Sequence, residues 1–153
     1  MTLQKILWPT DLSEQTGEAL EYIKSLTRRY EAEIHVLYVI EDVQGPPDWA
    51  GGIASGGKDN MLIWHKMRAH KRLDQICIDY LEDCPYFVRH IAVGDPAREI
   101  LRLVESEQID MVVMSTHGAS PPFRFDSVAA QVIRKAPVPV VTIPPAREAA
   151  PAA

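Results

Sequence analysis

The sequence lacks the residues that build a metal centre or a disulfide framework. Its 153 residues include only two cysteines, Cys77 and Cys84, and their spacing matches neither a CxxC motif nor a structural zinc site. His65 and His70 stand five positions apart on a predicted helix, which is a poor spacing for two ligands of one metal ion. We therefore predict no metal site, and two reduced cysteines that pack as small hydrophobic residues.

Long apolar runs and an excess of positive charge are also absent. No apolar segment approaches the ~20 residues of a membrane-spanning helix, and the residues before Pro9 and Asp11 do not form a signal peptide. Sixteen basic and twenty-one acidic residues give a net charge of −5, which disfavours non-specific binding to nucleic acid or to an anionic membrane. A small basic patch is compatible with this average. We expect a cytoplasmic protein.

Short apolar strands alternate with amphipathic helices along the chain. Strands are predicted at 5–8, 34–40, 86–93, 111–114 and 138–143, and helices at about 13–30, 59–82, from 96 onward and at 128–133, with a loop at 41–57. This order predicts a parallel sheet with helices on both faces, a doubly wound α/β domain over residues 1–145 followed by a flexible tail at 146–153.

Punctuating residues refine this prediction. Ser13 and Asp95 are candidate helix N-caps, and Pro96 suits the first position of a helix. Polar residues at 89 and 90 interrupt the third strand, and Pro139 removes a backbone donor from the fifth. Both strands are therefore predicted to lie at edges of the sheet.

Doubly wound sheets bind ligands beyond the carboxyl ends of their strands, which directs attention to the segments that follow each strand. After the first strand, Asp11 can accept a hydrogen bond from an adenine amine, bind a metal or take a phosphoryl group, or simply belong to a turn that caps the next helix. After the fourth, Gly118 allows backbone N–H groups to approach an anion. His117 beside it is a candidate general base, but no nucleophile accompanies it in sequence, so we predict no catalytic residue.

Two enzyme-like patterns are disfavoured by their position. Residues 55–59 resemble the phosphate loop of ATP pyrophosphatases, but that loop follows the first strand, and here the motif follows the second. A response-regulator receiver needs an aspartate at the end of its third strand, where this chain has Val93 and Gly94. Neither GxGxxG nor GxxxxGK[ST] occurs.

Five segments together resemble the universal stress protein family over about residues 3–144. They are KILWPTD at 5–11, IHVLYV at 34–39, VGDPAREI at 93–100, DMVVMSTHG at 110–118, and the run from SVAA to APVPV at 127–140. The resemblance implies a five-stranded sheet of order 3-2-1-4-5, of the adenine-nucleotide alpha-hydrolase-like type, and a non-catalytic role linked to stress. It also implies a homodimer through the fifth strand, with Val140, Val141 and Ile143 as candidate interface residues.

Many members of this family bind ATP or another adenine nucleotide. The resemblance implies candidate nucleotide-binding residues at Pro9, Thr10, Asp11, Val39, Met114, Ser115, Gly118, Ser120, Arg124, Ser127 and Val128. The family's loop reads Gly, two residues, Gly, nine residues, then Gly and Ser or Thr. Here Pro121 stands at the second glycine and Asp126 at the closing one, with only four residues between them. Ser115 also replaces a glycine that often precedes this loop.

These departures weaken the phosphate end of the site. Pro121 and Pro122 lack N–H donors, and Asp126 adds a carboxylate where phosphate oxygens dock in the family. Two like unit charges about 4 Å apart cost roughly 4 kcal/mol at an effective dielectric near 20, or about three decades of affinity, and Arg124 offsets part of this. We therefore predict a weak or lost triphosphate site and a role through a partner protein. The alternative is a switch that binds ATP or AMP with Mg²⁺ and hydrolyses ATP weakly at most.

Overall fold

Strands and helices alternate throughout residues 2–11, 16–41, 56–81, 86–116 and 124–144, which are the residues that the computed structural model describes. In chain order the elements are β1 (Lys5–Pro9), α1 (Thr16–Tyr30), β2 (Glu33–Ile40), α2 (Gly56–Leu81), β3 (Phe87–Val93), α3 (Pro96–Ser106), β4 (Met111–Ser115), α4 (Arg124–Lys135) and β5 (Val140–Ile143). Every predicted strand and helix is present and of the predicted type.

The five strands form one parallel sheet with the order β3-β2-β1-β4-β5. The predicted sheet order is therefore confirmed, and β3 and β5 are the edge strands as expected. Pro139 takes part through its carbonyl alone, accepting a hydrogen bond of 3.0 Å from the backbone N–H of Val112. Because Pro139 has no N–H to offer, its place beside an edge strand costs the sheet no donor.

Two hydrophobic core clusters lie on opposite faces of the sheet, because successive strand residues point to opposite sides. The first core cluster joins β-strand residues such as Ile34 and Val36 to α1 and α2, and the second joins Leu37 to α3 and α4. Most side chains in both clusters are fully buried, and each buried Leu, Ile or Val stabilises the fold by about 1.5–3 kcal/mol. Cys77 packs in the first cluster, as predicted for a small hydrophobic residue. Cys84 lies outside the described residues.

The turn from β3 into α3 follows its predicted chemistry. Asp95 caps α3 by accepting a hydrogen bond of 3.0 Å from the backbone N–H of Arg98, and Pro96 opens the helix. Gly94 has a φ of 146°, which side-chain-bearing residues rarely adopt, and its N–H donates to the carbonyl of Ile40 at 2.9 Å. This bond ties the β3–α3 turn to the end of β2.

Two helix boundaries differ from the prediction. Helix α2 begins at Gly56 and not at Asp59, so residues 56 and 57 of the predicted loop belong to the helix, and residues 42–55 lie outside the described residues. The cost of about 1 kcal/mol per glycine is small beside the propagation of a helix of 26 residues. Helix α4 begins at Arg124 and not at Val128. The apolar period in the sequence starts at Val128, so periodicity missed the first turn. Ser13 lies outside the described residues.

None of the helices in the described ranges is both long enough and apolar enough to cross a membrane.

Candidate functional site

Three adjacent strands end along the same edge of the sheet, and most of the candidate nucleotide-binding residues that the structure describes lie at or near these strand ends. The last residues of β1, β2 and β4 are Pro9, Ile40 and Ser115. The backbone continues in register for one residue past β1 and β4: Thr10 donates to Leu37 at 2.9 Å, and Thr116 donates to Ile143 at 3.0 Å. The ends of these strands therefore form a fixed backbone rim at the carboxyl edge.

At the β1 side of this rim, the candidate residues differ in burial. Pro9 and Thr10 are buried, whereas Asp11 is half-buried and so reachable from solvent. The Asp11 carboxylate interacts electrostatically with the phenol of Tyr38, which lies in β2 two residues before the strand ends at Ile40. Burial raises the pKa of Tyr38, the negative charges of Asp11 and Glu41 raise it further, and Arg68 lowers it. Asp11 and Tyr38 therefore share one electrostatic environment at the carboxyl edge.

Three candidates contribute to the floor of the site through the core. Met114 is fully buried in the second core cluster, so its side chain meets other core residues and only its backbone lies on the rim. Val128 is buried in the same cluster, and Val39 is half-buried against it. These three residues place the second core cluster directly beneath the edge at which β2 and β4 end.

The β4 side of the rim faces the start of α4. Ser115 is half-buried at the end of β4, and Arg124 and Ser127 lie in the first turn of α4. Because α4 runs back along the sheet towards β5, its N-terminal end lies at the carboxyl edge, where free N–H groups favour anions. Asp126 also belongs to this first turn. His117, Gly118 and Ser120 lie outside the described residues.

The candidate interface strand β5 presents its residues differently. Val141 is exposed at the edge, Val140 is half-buried, and Ile143 is buried in the first core cluster. Ile143 can therefore contribute only its backbone to a contact across the edge, and Val141 is the exposed apolar side chain of the strand.

Three features of the structure were not predicted from the sequence. Tyr38 adjoins the rim although it reads as an ordinary strand residue. His35 and His90 form a hydrogen-bonded pair on the face of the sheet that carries the second core cluster, away from the rim. Helix α2 places the cationic side chains of Arg68, Lys71 and Arg72 in a cavity that Tyr38 also lines. Within the described ranges, no group of three or more His, Cys, Asp or Glu side chains is arranged to hold a metal ion.

Comparison with known proteins assigns the chain to a family. Residues 2–144 match the sequence profile of the universal stress protein family. The chain belongs to the universal stress protein family. It is 28% identical over 153 residues to universal stress protein MJ0577 of Methanocaldococcus jannaschii, an alignment that covers 92% of this chain and 94% of that one. The solved structure of MJ0577 covers 97% of this chain and 100% of its own, with a TM-score of 0.79 at 25% identity.

Two more distant members of the universal stress protein family were solved with a nucleotide. The protein from Archaeoglobus fulgidus in complex with dAMP has a TM-score of 0.64 at 19% identity, and the match covers 94% of this chain and 99% of that one. A universal stress protein in complex with cAMP has a TM-score of 0.62 at 16% identity, with 94% and 98% covered. The resemblance of the five segments is thus confirmed at the level of family and fold.

Proposed function

We propose that this universal stress protein is a non-catalytic binding module whose carboxyl edge takes an adenine nucleotide, held mainly by its adenosine end. Two relatives solved with dAMP and cAMP support the ligand class, and both ligands carry a single phosphate. The rim of Pro9, Thr10 and Asp11 supports the adenosine end, because a half-buried carboxylate beside fixed backbone suits the amine of adenine.

The start of α4 at Arg124 is the observation that carries the proposal. A helix N-terminus attracts phosphate through its free N–H groups and its positive dipole end. Asp126 is the third residue of α4, so its negative charge belongs to the turn that would receive phosphate. A carboxylate there stabilises the helix and opposes a second anion. The same residue therefore strengthens α4 and weakens the site for a chain of phosphates.

Titration calorimetry on nucleotide-stripped protein tests this function. AMP is the first ligand, and Asp11→Asn is expected to weaken its binding about tenfold, since the neutral amide loses a charge-assisted hydrogen bond. Asp79→Asn is the matched control, because Asp79 is exposed on α2 and accepts a hydrogen bond from Gln75 of the same helix. Removing the repelling charge by Asp126→Gly is expected to raise the affinity for ATP with Mg²⁺ at least about tenfold.

Two results contradict the proposal. Absence of AMP binding to the wild-type protein would remove the adenosine site. Stoichiometric ATP in the supernatant of freshly purified, denatured protein would show a strong triphosphate site, and the chain would then act as a nucleotide-dependent switch. In that case single-turnover assays with ATP and Mg²⁺ would measure whether slow hydrolysis accompanies binding.

A further inference from the structure

A cavity of about 640 Å³ opens beside α2, on the face of the sheet that carries the first core cluster. Its inner wall includes Tyr38 of β2. The polar residues that α2 contributes are His65, Arg68, Lys71, Arg72 and Gln75. No carboxylate stands among the lining residues that the structure describes. Because α4 packs on the other face of the sheet, in the second core cluster, the cavity is distinct from the site proposed at the start of α4.

The lining of this cavity is positively charged, whereas the whole protein carries a net negative charge. The chain carries a net charge of −5, but residues 61–72 contain four lysines or arginines and no aspartate or glutamate. Helical spacing of three and four residues brings His65, Arg68 and Arg72 onto one face of α2. Arg68, Lys71 and Arg72 are exposed, so an incoming ligand reaches them from solvent.

Individual groups in the cavity are arranged for an anion. The guanidinium of Arg68 lies 5.1 Å from the centre of the Trp64 ring, and this contact orients its planar set of donors. Tyr38, which is half-buried, also lines the cavity. Burial raises the pKa of Tyr38, Asp11 and Glu41 raise it further, and the charge of Arg68 lowers it, so Arg68 interacts electrostatically with the phenol. The negative charges of Asp11 and Glu41 favour a ligand whose anionic part lies outward, towards Lys71 and Arg72.

We propose that the α2 cavity binds an oligophosphate group of two or three phosphates, either as inorganic oligophosphate or as the phosphate chain of a nucleotide. Arginine forks pair with phosphate oxygens through two parallel hydrogen bonds, and a lysine adds a compact charge beside them. A single phosphate occupies a small part of about 640 Å³, whereas a chain of phosphates spans residues one and two helical turns apart. The site depends on neither the adenosine rim nor the β4–α4 segment, so it does not rest on the proposed function.

Inorganic triphosphate is the probe that isolates this site, because it has no adenosine. Calorimetric titration is expected to show saturable binding that weakens as salt rises from 50 to 200 mM. The double variant Arg68→Gln/Arg72→Gln is expected to bind at least about tenfold more weakly. The matched control is Arg98→Gln/Arg134→Gln, which removes the same charge from exposed positions on α3 and α4 and is expected to change affinity by less than about twofold. A second variant, Lys71→Glu, tests the cavity without touching either arginine.

Parallel titrations with ATP and AMP distinguish the two sources of the phosphates. If the ligand is a nucleotide, ATP binds more tightly than AMP, and Arg68→Gln/Arg72→Gln removes that advantage while AMP binding stays unchanged. If the ligand is inorganic oligophosphate, the same variant weakens triphosphate alone. The proposal is overturned if wild-type protein shows no saturable triphosphate binding, or if the α2 pair and the control pair weaken it equally. AMP binding and its response to Asp11→Asn are measured separately, so failure of either site is recognised independently.

Discussion

Nδ1 of His35 lies 2.8 Å from Nε2 of His90, and the two rings are nearly parallel. His35 is only 1% exposed, and its other nitrogen, Nε2, lies 2.6 Å from a carboxylate oxygen of Glu33. A carboxylate only accepts, so Nε2 of His35 carries the hydrogen of that bond. Nδ1 of neutral His35 is then the acceptor, and Nε2 of His90 donates to it. The pair holds its geometry with both rings neutral.

Acid is expected to destabilise the protein through this pair. Burial and the neighbouring His35 lower the pKa of His90 below its ordinary value of 6.5, against the smaller opposing effects of Glu107 and Glu33. Between the lowered pKa and 6.5 the unfolded chain binds more protons than the folded one. The free energy of unfolding is therefore expected to fall as pH decreases through that window. Above the window, the neutral His90 contributes its full share of stability. Urea unfolding at pH 7.5, 6.5 and 5.5 measures the change.

Variants separate this pair from other groups that titrate. His90→Asn keeps an amide donor for His35 but does not titrate in this range, so it is expected to flatten the dependence of unfolding free energy on pH. His70→Gln is the control, because His70 is exposed on α2 and its removal leaves the pair intact. An unchanged slope in His90→Asn would assign the pH dependence to other residues.

Gly94 is expected to resist substitution. Its φ of 146° strains any residue with a side chain, and an added Cβ would lie 3.3 Å from a carboxylate oxygen of Glu99, which is buried and paired with Arg102. Gly94→Ala is therefore expected to lower the free energy of unfolding by about 1 kcal/mol or more. Gln108→Gly is the converse control. Gln108 has a φ of 54°, so glycine there is expected to raise stability by up to about 1 kcal/mol. Equal effects of the two changes in urea unfolding would contradict this reading of the backbone.

Cys77 is expected to be chemically inert in the folded protein. It is 2% exposed in the first core cluster, and burial raises the pKa of its thiol to about 11. Because the thiolate is the reactive form, modification by a disulfide reagent at pH 8 is expected to be at least about a hundredfold slower in buffer than in urea. The measurement is made in Cys84→Ser protein, so that Cys77 alone reports. Fast modification in buffer would show that α2 separates readily from the sheet.

Local patterns predicted the strands and helices and their order along the chain, because each element carries its own signal. The order of the strands within the sheet was predicted from the family resemblance. The run at 34–40 is apolar except for His35, as is typical of a strand covered on both faces, and Pro139 marks an edge by lacking a donor. The His35–His90 contact has no such signal. It depends on the register between β2 and β3, in which Leu37 and not His35 stands opposite His90, and register is a property of two strands together.

The cationic cavity and the first turn of α4 were not predicted, because net charge and apolar periodicity do not report them. A net charge of −5 hides the cationic run of α2, because opposite charges elsewhere in the chain cancel it. Arg124 and Asp126 are polar residues that precede the apolar residues of α4 in the sequence, so they belong to no apolar stripe and no helix was predicted there. The residues of the candidate site that follow strand ends were predicted from the resemblance to the universal stress protein family, whereas Tyr38 and Arg68 required the packing of α2 on the sheet.

Dimerisation through β5 remains a prediction, and the two edge strands supply its test. Val141 of β5 and Val88 of β3 are both 36% exposed, on opposite edges of the same sheet. An exposed apolar edge strand favours pairing with another strand, and a lysine blocks it by placing a charge in the contact. Val141→Lys is therefore expected to weaken the dimer at least about tenfold in sedimentation equilibrium, while Val88→Lys leaves it unchanged. The comparison holds the chemistry of the substitution constant and changes only the edge. If the wild-type protein is monomeric at high concentration, β5 is not an interface, and if Val88→Lys alone disrupts the dimer, the copies meet through β3.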